Sequence, residues 1–411
     1  MPTALDARHR EQPMATVILA AVGDVLIDRP EPSSALVEAA GVLAAADVVF
    51  GNFEGVLTDQ HQALPGRGSE SIVPVSNAAG LRHFDLLSLA NNHSMDAGYG
   101  GLDDTIASLH GIGVEVVGAG RTPTQAWQPA IVERNGKSIA FIAVASVFPA
   151  GYEAKGGRGG IASLAAIDHY ASRFRAAYVP GVPPHIISVV NEHDWRQLEA
   201  AIGLAHSQAD FVIVSMHWGD HTQPYVITDF ERATAKRLSE LGVNLVLGHH
   251  QHRLRAVEFF GSTPVFFGLG HIVFDQPRYI DNLRANGADW LTLPEVELEK
   301  RFGRYGEFPR PSGFTFDDSA RWAAIALVEL QTNELPATGY IPMYIGAEGT
   351  PRPVLRTSDQ WDLFIELMAD CIRDGHLSCT INDEGRNFGG LPVLTIRPAA
   401  HQANVGGRLE T

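Results

Sequence analysis

The chain has 411 residues, of which 45% are hydrophobic and 19% charged, so it can form a large core and is not a disordered chain. Its net charge of -16 argues against a protein that binds nucleic acid or anionic membranes over a broad surface. Its two cysteines, Cys371 and Cys379, are too few for a disulfide framework and are not spaced like a zinc ribbon, so a metal site would use nitrogen and oxygen ligands.

The N-terminal part of the chain gives no sign of a membrane anchor. Residues 1–14 are polar and are predicted to form a flexible segment. The first apolar run, residues 15–22, is too short for a membrane span and lacks the flanks of a signal peptide, so it predicts a strand. No other stretch approaches membrane length, and we therefore expect a cytoplasmic location.

Short apolar runs then alternate with helical patterns up to about residue 280. Strands are predicted at 15–22, 48–50, 86–90, 114–117, 185–190, 211–216 and 243–247, and helices at 34–46, 99–110 and 229–241, with another from Asp194, where Gln197 suggests a capping box. Hairpins are predicted at 131–145, around Asn135-Gly136, and at 253–267. This alternation predicts an α/β (or α+β) fold in which a layered β-sheet core has flanking helices.

The chain after residue 280 has a different composition. It contains stretches rich in proline, glycine and charge, then a predicted strand at 323–330 and an amphipathic helix at 358–374. We interpret residues 15–280 as the main domain and residues 281–411 as an accessory C-terminal segment that packs on it.

Five of the runs end in residues that could bind a metal ion. The endings are Gly23-Asp24, Gly51-Asn52-Phe53-Glu54, Asn91-Asn92-His93 with Asp96 beyond, His217-Trp218-Gly219-Asp220, and His250-Gln251-His252. A single ending of this kind is usually a turn or cap, but parallel strands bring their carboxyl ends together. In an extended backbone His250 and His252 would face the same way. Oxygen and imidazole ligands without thiolate suit Mn, Fe or Zn at a hydrolytic site.

These motifs resemble those of the CapA family of poly-gamma-glutamate capsule biosynthesis, which belongs to the calcineurin-like metallophosphoesterase superfamily. The resemblance covers about residues 16–276 and rests on the order and spacing of six motifs. They are Gly23-Asp24-Val25-Leu26-Ile27-Asp28-Arg29, Gly51-Asn52-Phe53-Glu54, Ala90-Asn91-Asn92-His93-Ser94-Met95-Asp96-Ala97-Gly98, His217-Trp218-Gly219, Gly248-His249-His250-Gln251-His252 and Gly268-Leu269-Gly270-His271-Ile272-Val273-Phe274-Asp275.

The resemblance implies a layered metallophosphoesterase-like fold and a centre for one or two divalent ions. The implied metal ligands are Asp24, Glu54, Asn92, His217, His250 and His252. Glu54 would stand where the bridging carboxylate sits, and Asn92 would bind through its amide oxygen. His93 would protonate the leaving group as general acid, oriented by Asp96.

Four further residues are candidates for substrate binding. Arg29 could clamp a carboxylate or phosphate with its planar fork, or could pair on the surface with Asp28 or Glu31. Trp218 could line the pocket or belong to the core. His249 could reach the substrate or cap a strand end. His271 stands where the family usually has asparagine, so it could add a ligand or reshape the pocket.

Other departures from the family pattern affect the metal count and the location. Asp24-Val25-Leu26 lacks the histidine of the superfamily's Asp-x-His, an absence that CapA proteins generally share, so a full two-metal centre is not implied. Asp220 replaces the usual glutamate. The N-terminal span of membrane-anchored CapA proteins has no counterpart here, which weighs against a role at a capsule export complex.

Two functions are consistent with these residues. The first is a CapA-like metal-dependent hydrolase that acts on a phosphoester or a gamma-glutamyl-type amide through metal-activated water. The alternative is a non-catalytic or accessory capsule biosynthesis protein that binds anionic polymer or its precursor. The expected partner is a small anionic or gamma-glutamyl substrate and not a nucleic acid, while the metal, the substrate and the oligomeric state stay open.

Overall fold

The computed structural model describes residues 16–65, 70–172, 181–223, 225–278, 316 and 318–399. The strands in chain order are β1 (Val17–Leu26), β2 (Val48–Phe53), β3 (Val56–Leu57), β4 (Ile72–Val73), β5 (Leu86–Ser88), β6 (Glu115–Val117), β7 (Ala119–Gly120), β8 (Ala130–Arg134), β9 (Lys137–Ala145), β10 (Gly160–Ile161), β11 (Ala166–Ala171), β12 (His185–Val190), β13 (Phe211–His217), β14 (Leu245–His249), β15 (Val257–Phe260), β16 (Thr263–Phe266), β17 (His271–Phe274), β18 (Trp322–Leu330), β19 (Ala337–Ile345), β20 (Pro351–Pro353), β21 (Cys379–Asn382), β22 (Asn387–Phe388), β23 (Leu391–Pro392) and β24 (Leu394–Pro398). The α-helices are α1 (Ala40–Leu43), α2 (Gly98–Gly111), α3 (Pro123–Trp127), α4 (Glu192–Gln208), α5 (Asp229–Glu240) and α6 (Asp359–Asp374), and 3-10 helices cover Pro32–Ser34, Val75–Leu81 and Asp318–Arg321.

Two large sheets form the core. The first runs in the order β21-β24-β19-β18-β1-β2-β5-β6, and the second in the order β15-β16-β14-β13-β9-β8. They pack face to face: Phe50 of β2 stacks on Phe141 of β9 with ring centroids 5.3 Å apart, and Tyr340 of β19 meets Phe266 of β16 at 5.4 Å. Buried aromatic pairs of this kind favour a dry core between the sheets.

Parallel pairing brings the site-bearing strand ends together. β1 pairs in parallel with β2, and β2 with β5. In the second sheet β13 pairs in parallel with β9 and β14. The carboxyl ends of neighbouring parallel strands lie at one edge of a sheet, so β1, β2, β13 and β14 end in a common region.

Helices cover the outer faces through one apolar stripe each. In α4, Trp195, Leu198, Ile202 and Ala205 are buried, which is the spacing of one helical face packed on β9 and β13. Helix α5 begins with a capping box, because Thr228 Oγ1 accepts a bond of 3.2 Å from the Glu231 amide and the Glu231 carboxylate accepts one from the Thr228 amide. The predicted layered fold with flanking helices is confirmed.

The hairpin predicted around Asn135-Gly136 is confirmed as β8 and β9. Asn135 and Gly136 have φ of 52° and 71°, which are the left-handed values that a two-residue hairpin turn needs at both positions. The second predicted hairpin appears as β15 and β16, which pair antiparallel.

Two local predictions are wrong. The helix predicted at 34–46 is reduced to a 3-10 turn and the four-residue α1, where Gly41 lowers helix propensity. The capping box at Asp194 is also wrong. Asn191 caps α4 by accepting from the amides of His193 and Asp194, whereas Asp194 accepts from the Ala165 amide at 3.0 Å.

The C-terminal region takes part in the first sheet. The strand predicted at 323–330 and the helix predicted at 358–374 are present as β18 and α6, and β18 pairs antiparallel with Val17–Ala21 of β1. The division at residue 280 stays a prediction, and the predicted flexible segment 1–14 lies outside the described residues. Within the described ranges, no helix combines the length and the apolar character needed to cross a membrane.

Candidate metal centre

Close backbone contact positions two of the strand ends. A Cβ atom on Gly23 would lie 2.1 Å from the carbonyl oxygen of Gly270, and one on Gly248 would lie 2.0 Å from that of Phe267. Any side chain at these positions would collide with backbone, so glycine is required there. The residues after these two glycines, Asp24 and His249, are thereby held against the segment 267–270.

His250 and His252 reach the centre from a turn and not from a strand. β14 ends at His249, and His250 and His252 have φ of 96° and 55°. The extended backbone predicted at this position is therefore wrong. The two rings nevertheless lie 6.2 Å apart by centroid, and the His250 amide donates to Asp24 Oδ2 at 3.2 Å. Positive φ in non-glycine residues is strained, and such strain is found most often at functional sites.

Two overlapping clusters of ligand atoms share Glu54. One consists of Glu54, His217 and His250, the other of Asp24, Glu54 and His252, and in each the ligand atoms lie within 4.8 Å of one another. Glu54 Oε1 is 3.6 Å from His217 Nε2 and 3.8 Å from His252 Nε2, and Asp24 Oδ2 is 3.3 Å from His252 Nδ1. A carboxylate shared by two clusters suits a bridging position, and every one of these residues is buried.

The polar atoms of the centre fit a bound cation. Three buried atoms of the centre have no hydrogen-bond partner among the residues that the structure describes. They are both carboxylate oxygens of Glu54 and the Nδ1 atom of His250. Leaving buried polar atoms unsatisfied is costly. Carboxylate and imidazole groups are ligands for divalent ions of the Mn, Fe and Zn type, so the residues could hold such an ion.

Burial and mutual charge shift the pKa values in this centre in opposite directions. Burial alone would raise the pKa of Asp24, but hydrogen bonding and charge from His249 and His252 outweigh it and hold that pKa well below its ordinary value. Burial, and then the negative charge of Asp24, raise the pKa of Glu54 well above its ordinary value. Burial followed by the charge of His252 lowers the pKa of His250 to about 3. Neutral imidazoles are the form that binds metal.

Asparagines connect the ligands to one another. Asn92 Oδ1 lies 2.6 Å from His217 Nε2, which brings the predicted amide ligand to the cluster. Asn52 Nδ2 donates to Asp24 Oδ1 at 2.8 Å, and Asn91 Nδ2 donates to Asn52 Oδ1 at 3.1 Å. Sequence reasoning did not single out Asn52 and Asn91, although both lie inside the motifs that carry the resemblance.

The predicted acid, His93, is held by a buried carboxylate. His93 Nδ1 is 2.7 Å from Asp96 Oδ2, which also accepts the Ser71 amide at 2.9 Å. The Tyr152 hydroxyl donates to Asp96 Oδ1 at 3.0 Å. Tyr152 was missed by sequence reasoning, because it lies 56 residues from Asp96 in a segment without a recognisable motif. The arrangement fixes the ring of His93 through Nδ1.

The four predicted substrate-binding residues divide into two pairs. His249 and His271 lie at the centre: His249 Nδ1 is 3.5 Å from Asp24 Oδ1, and the ring of His271 is 5.9 Å from that of His252. Burial, and then the charge of His252, lower the pKa of His271 to about 3.

Arg29 and Trp218 are engaged with the protein itself. The Arg29 fork donates to both oxygens of Asp275, at 2.7 and 2.6 Å, and to the carbonyl of Gly349 at 3.0 Å. Trp218 is fully buried and donates from Nε1 to the carbonyl of Phe267 at 3.0 Å, as a core tryptophan does. A substrate role for these four residues stays a prediction.

Comparison with known proteins places the chain in a family. A family model described as "Bacterial capsule synthesis protein PGA_cap" matches residues 18–276. The "PGA biosynthesis protein CapA" of Bacillus subtilis (strain 168) is 28% identical over 275 residues, which are 63% of each chain. A "probable polyglutamine synthesis accessory protein" of Mycobacterium tuberculosis (strain CDC 1551 / Oshkosh) is 33% identical over 193 residues, 46% of this chain and 44% of the relative. The matched region thus spans less than two thirds of the length of either relative.

Among solved structures, the "calcineurin-like phosphoesterase YfkN from Bacillus subtilis" is similar with a TM-score of 0.37 and 13% identity, covering 89% of this chain and 97% of that one. A likeness of this size carries no argument about function. The match to the family model covers all the predicted ligands.

Proposed function

Since the chain belongs to the PGA_cap family of bacterial capsule synthesis proteins, we propose that its buried centre is that of a divalent-metal-dependent hydrolase. The substrate would be a phosphoester or a gamma-glutamyl-type amide. The observation that carries the proposal is the shared carboxylate of Glu54, which is buried, lies in both ligand clusters and has no hydrogen-bond partner among the described residues.

The ligand set would hold one or two ions of Mn, Fe or Zn. Asp24, Asn92 and Glu54 would supply oxygen atoms, and His217, His250 and His252 would supply nitrogen atoms. A bound ion would supply Lewis-acid polarisation of the scissile group and activation of water. The low pKa of Asp24 keeps this carboxylate charged in the absence of metal, whereas Glu54, with its raised pKa, would release a proton when it binds a cation.

His93 would carry the proton transfer. Asp96 accepts from Nδ1, and this contact fixes the tautomer in which the opposite nitrogen, Nε2, exchanges a proton with the leaving group. The Ser71 amide donates to the same oxygen of Asp96 and the Tyr152 hydroxyl donates to the other, so the carboxylate is held in place. The pair therefore acts as an oriented acid beside the metal ligands.

A second function is favoured by the names of the relatives. One is named for biosynthesis and another as a synthesis accessory protein, and neither name states hydrolysis. On this alternative the same centre would bind an anionic glutamate polymer or its precursor without turnover. A net charge of -16 opposes contact with a polyanion over a broad surface, so binding would be confined to the centre.

One experiment separates the two functions. Protein reconstituted with Mn, Fe(II) or Zn is assayed by elemental analysis and against a panel of phosphate esters and gamma-glutamyl peptides. The matched comparison is the double variant His250→Ala with His252→Ala against His193→Ala with His206→Ala, two exposed histidines of α4. If the protein is a hydrolase, turnover and bound metal should both be lost in His250→Ala with His252→Ala. Both should be retained in His193→Ala with His206→Ala. Metal-dependent binding of gamma-glutamyl oligomers without turnover would support the accessory function, and equal metal in both double variants would refute the centre.

A further inference from the structure

His221 lies beside the centre. It follows β13 by four residues, is exposed, and its ring meets the ring of His250 edge-on at 5.2 Å between centroids. His250 belongs to one of the two ligand clusters. His221 is therefore an exposed imidazole next to a buried one that could hold metal.

The loop that carries His221 is fixed by two arginines that follow the metal-binding turn. Arg255, fully buried, donates to the carbonyl oxygens of Asp220 at 3.1 Å and Gln223 at 2.9 Å, and also to that of Val226. Arg253 donates to the carbonyl oxygen of His221 itself at 2.8 Å. Four carbonyl groups of one loop are thus held by the segment directly after His252, so the position of His221 is set together with that of the metal ligands.

The loop begins with a turn at Gly219, after which the carboxylate of Asp220 accepts hydrogen bonds from the loop itself. Gly219 has φ of 88°, and a Cβ there would lie 2.4 Å from Gln251 Nε2. Asp220 then accepts from the Thr222 amide and hydroxyl and from Gln223 Nε2. The Asp220 oxygens are used within the loop, and the imidazole of His221 is a donor that this loop can present toward a ligand at the centre.

We propose that His221 is a substrate-contacting residue, which donates a hydrogen bond to an anionic oxygen of a phosphate or carboxylate bound beside His250. Arg253 and Arg255 are its positioning residues. The proposal rests on the proposed metal centre, since the buried carboxylates of Asp24 and Asp96 would repel an anion unless a cation were bound. His93 would then face the leaving-group side of the substrate and His221 the side of His250.

The test uses Mn²⁺ and inorganic phosphate as probes of the full chain. Calorimetry first measures Mn²⁺ binding to the wild type, His221→Ala, His221→Asn and the control His193→Ala, an exposed histidine on α4. Phosphate is then titrated into each Mn²⁺-loaded protein. We expect His221→Ala to keep its Mn²⁺ affinity and to bind phosphate about tenfold or more weakly, as for loss of one hydrogen bond to a charged group. His221→Asn, which retains a donor, should recover part of that loss, and His193→Ala should match the wild type.

The outcomes separate this proposal from the one on which it rests. If the wild type binds Mn²⁺ and phosphate and His221→Ala binds phosphate equally well, the role of His221 is refuted and the metal centre stands. Loss of Mn²⁺ binding in His221→Ala would overturn the role as well, because it would make His221 a ligand. A wild type that binds no divalent metal overturns both.

Discussion

The two parts of the chain on either side of residue 280 contribute differently to the centre. Every candidate ligand comes from the part that matches the family model, residues 18–276. The C-terminal residues 318–399 contribute no candidate ligand among those described, yet they contact the segments that carry the ligands. The candidate ligands and the residues that support them thus come from different stretches of the chain.

Three contacts show how this support is arranged. The Tyr340 hydroxyl donates to the carbonyl of Arg255 at 3.0 Å, and Cys371 Sγ lies 3.5 Å from the carbonyl of Leu254. Both carbonyls follow the turn of His250 and His252 directly. In addition Arg29, after β1, donates to the carbonyl of Gly349. Substitutions in the first region should therefore change metal binding and rate, and substitutions in the second should change stability.

The largest effect is expected at His93, within the first region. His93→Ala should retain metal and, if proton transfer is its whole contribution, lose roughly 10²–10⁴-fold in rate on substrates with poor leaving groups. The loss should shrink for good leaving groups, which depart without a proton. Asn92→Ala is the matched comparison and should weaken metal binding and slow all substrates alike. Full activity of His93→Ala on a poor leaving group would leave His93 with a structural role only.

A smaller effect, on metal affinity, is expected at Glu54. Glu54→Gln removes the charge shared by both clusters and should weaken metal binding by about 100-fold or more, since supporting residues alone are worth roughly 10- to 100-fold. It should also abolish the release of the Glu54 proton, which calorimetry in buffers of different ionisation enthalpy measures. The control is Glu240→Gln, which makes the same substitution at an exposed glutamate of α5. Unchanged proton release in Glu54→Gln would contradict the raised pKa of Glu54.

The next effect is the pH dependence of stability in the metal-free protein. Burial lowers the pKa of His250 in the folded chain to about 3, whereas in the unfolded chain the value is about 6.5. The unfolded chain therefore binds the extra proton first, and the stability that His250 contributes is lost as pH falls from about 6.5 toward 3. Chelator-treated His250→Ala should show a flatter slope than the wild type between pH 6.5 and 5, by up to about 1.4 kcal/mol per pH unit, in urea unfolding. Equal slopes would mean that His250 is not buried in its neutral form.

An effect on stability without an effect on metal binding is expected in the C-terminal region, at Tyr340. Tyr340→Phe leaves the buried carbonyl of Arg255 without its donor and should lower the free energy of unfolding by about 1–3 kcal/mol. Metal affinity should stay near that of the wild type, because Tyr340 touches no candidate ligand. Tyr344→Phe on the same strand, whose side chain is only partly buried, is the comparison variant. A large loss of metal affinity in Tyr340→Phe would contradict the expectation that the C-terminal region affects stability and not metal binding.

The residues that converge at the centre could be predicted from the sequence better than the backbone conformations that bring them there. Parallel strand ends converge by a general rule, so the convergence of Asp24, Glu54 and His217 could be expected. The left-handed turn at His250 and His252 could not, because non-glycine residues rarely adopt it and nothing local marks the exception. The prediction of an extended backbone there was wrong, although both histidines reach the centre.

Long-range partners were beyond sequence reasoning. Arg29 was expected to meet a substrate anion or a neighbouring carboxylate, yet its partner, Asp275, lies 246 residues away. The pairing of β18 with β1 likewise has no local signature, since alternating apolar residues specify a strand but not its neighbour. Tyr152 and His221 are placed by such tertiary contacts, which is why the motifs did not include them.

The position of β18 has a consequence for how the chain is synthesised. Roughly 300 residues separate β1 from β18, so at about 5–20 residues per second the ribosome needs roughly 15–60 s to deliver the strand that closes this edge. Until then the apolar residues Val17–Ala21 lack their antiparallel neighbour, and open edges of this kind invite pairing with other chains. The strand that carries Asp24 is therefore made long before the strand that encloses its edge. Slower growth at lower temperature, or a chaperone that shields nascent strands, should therefore raise the yield of correctly folded protein more than added metal does.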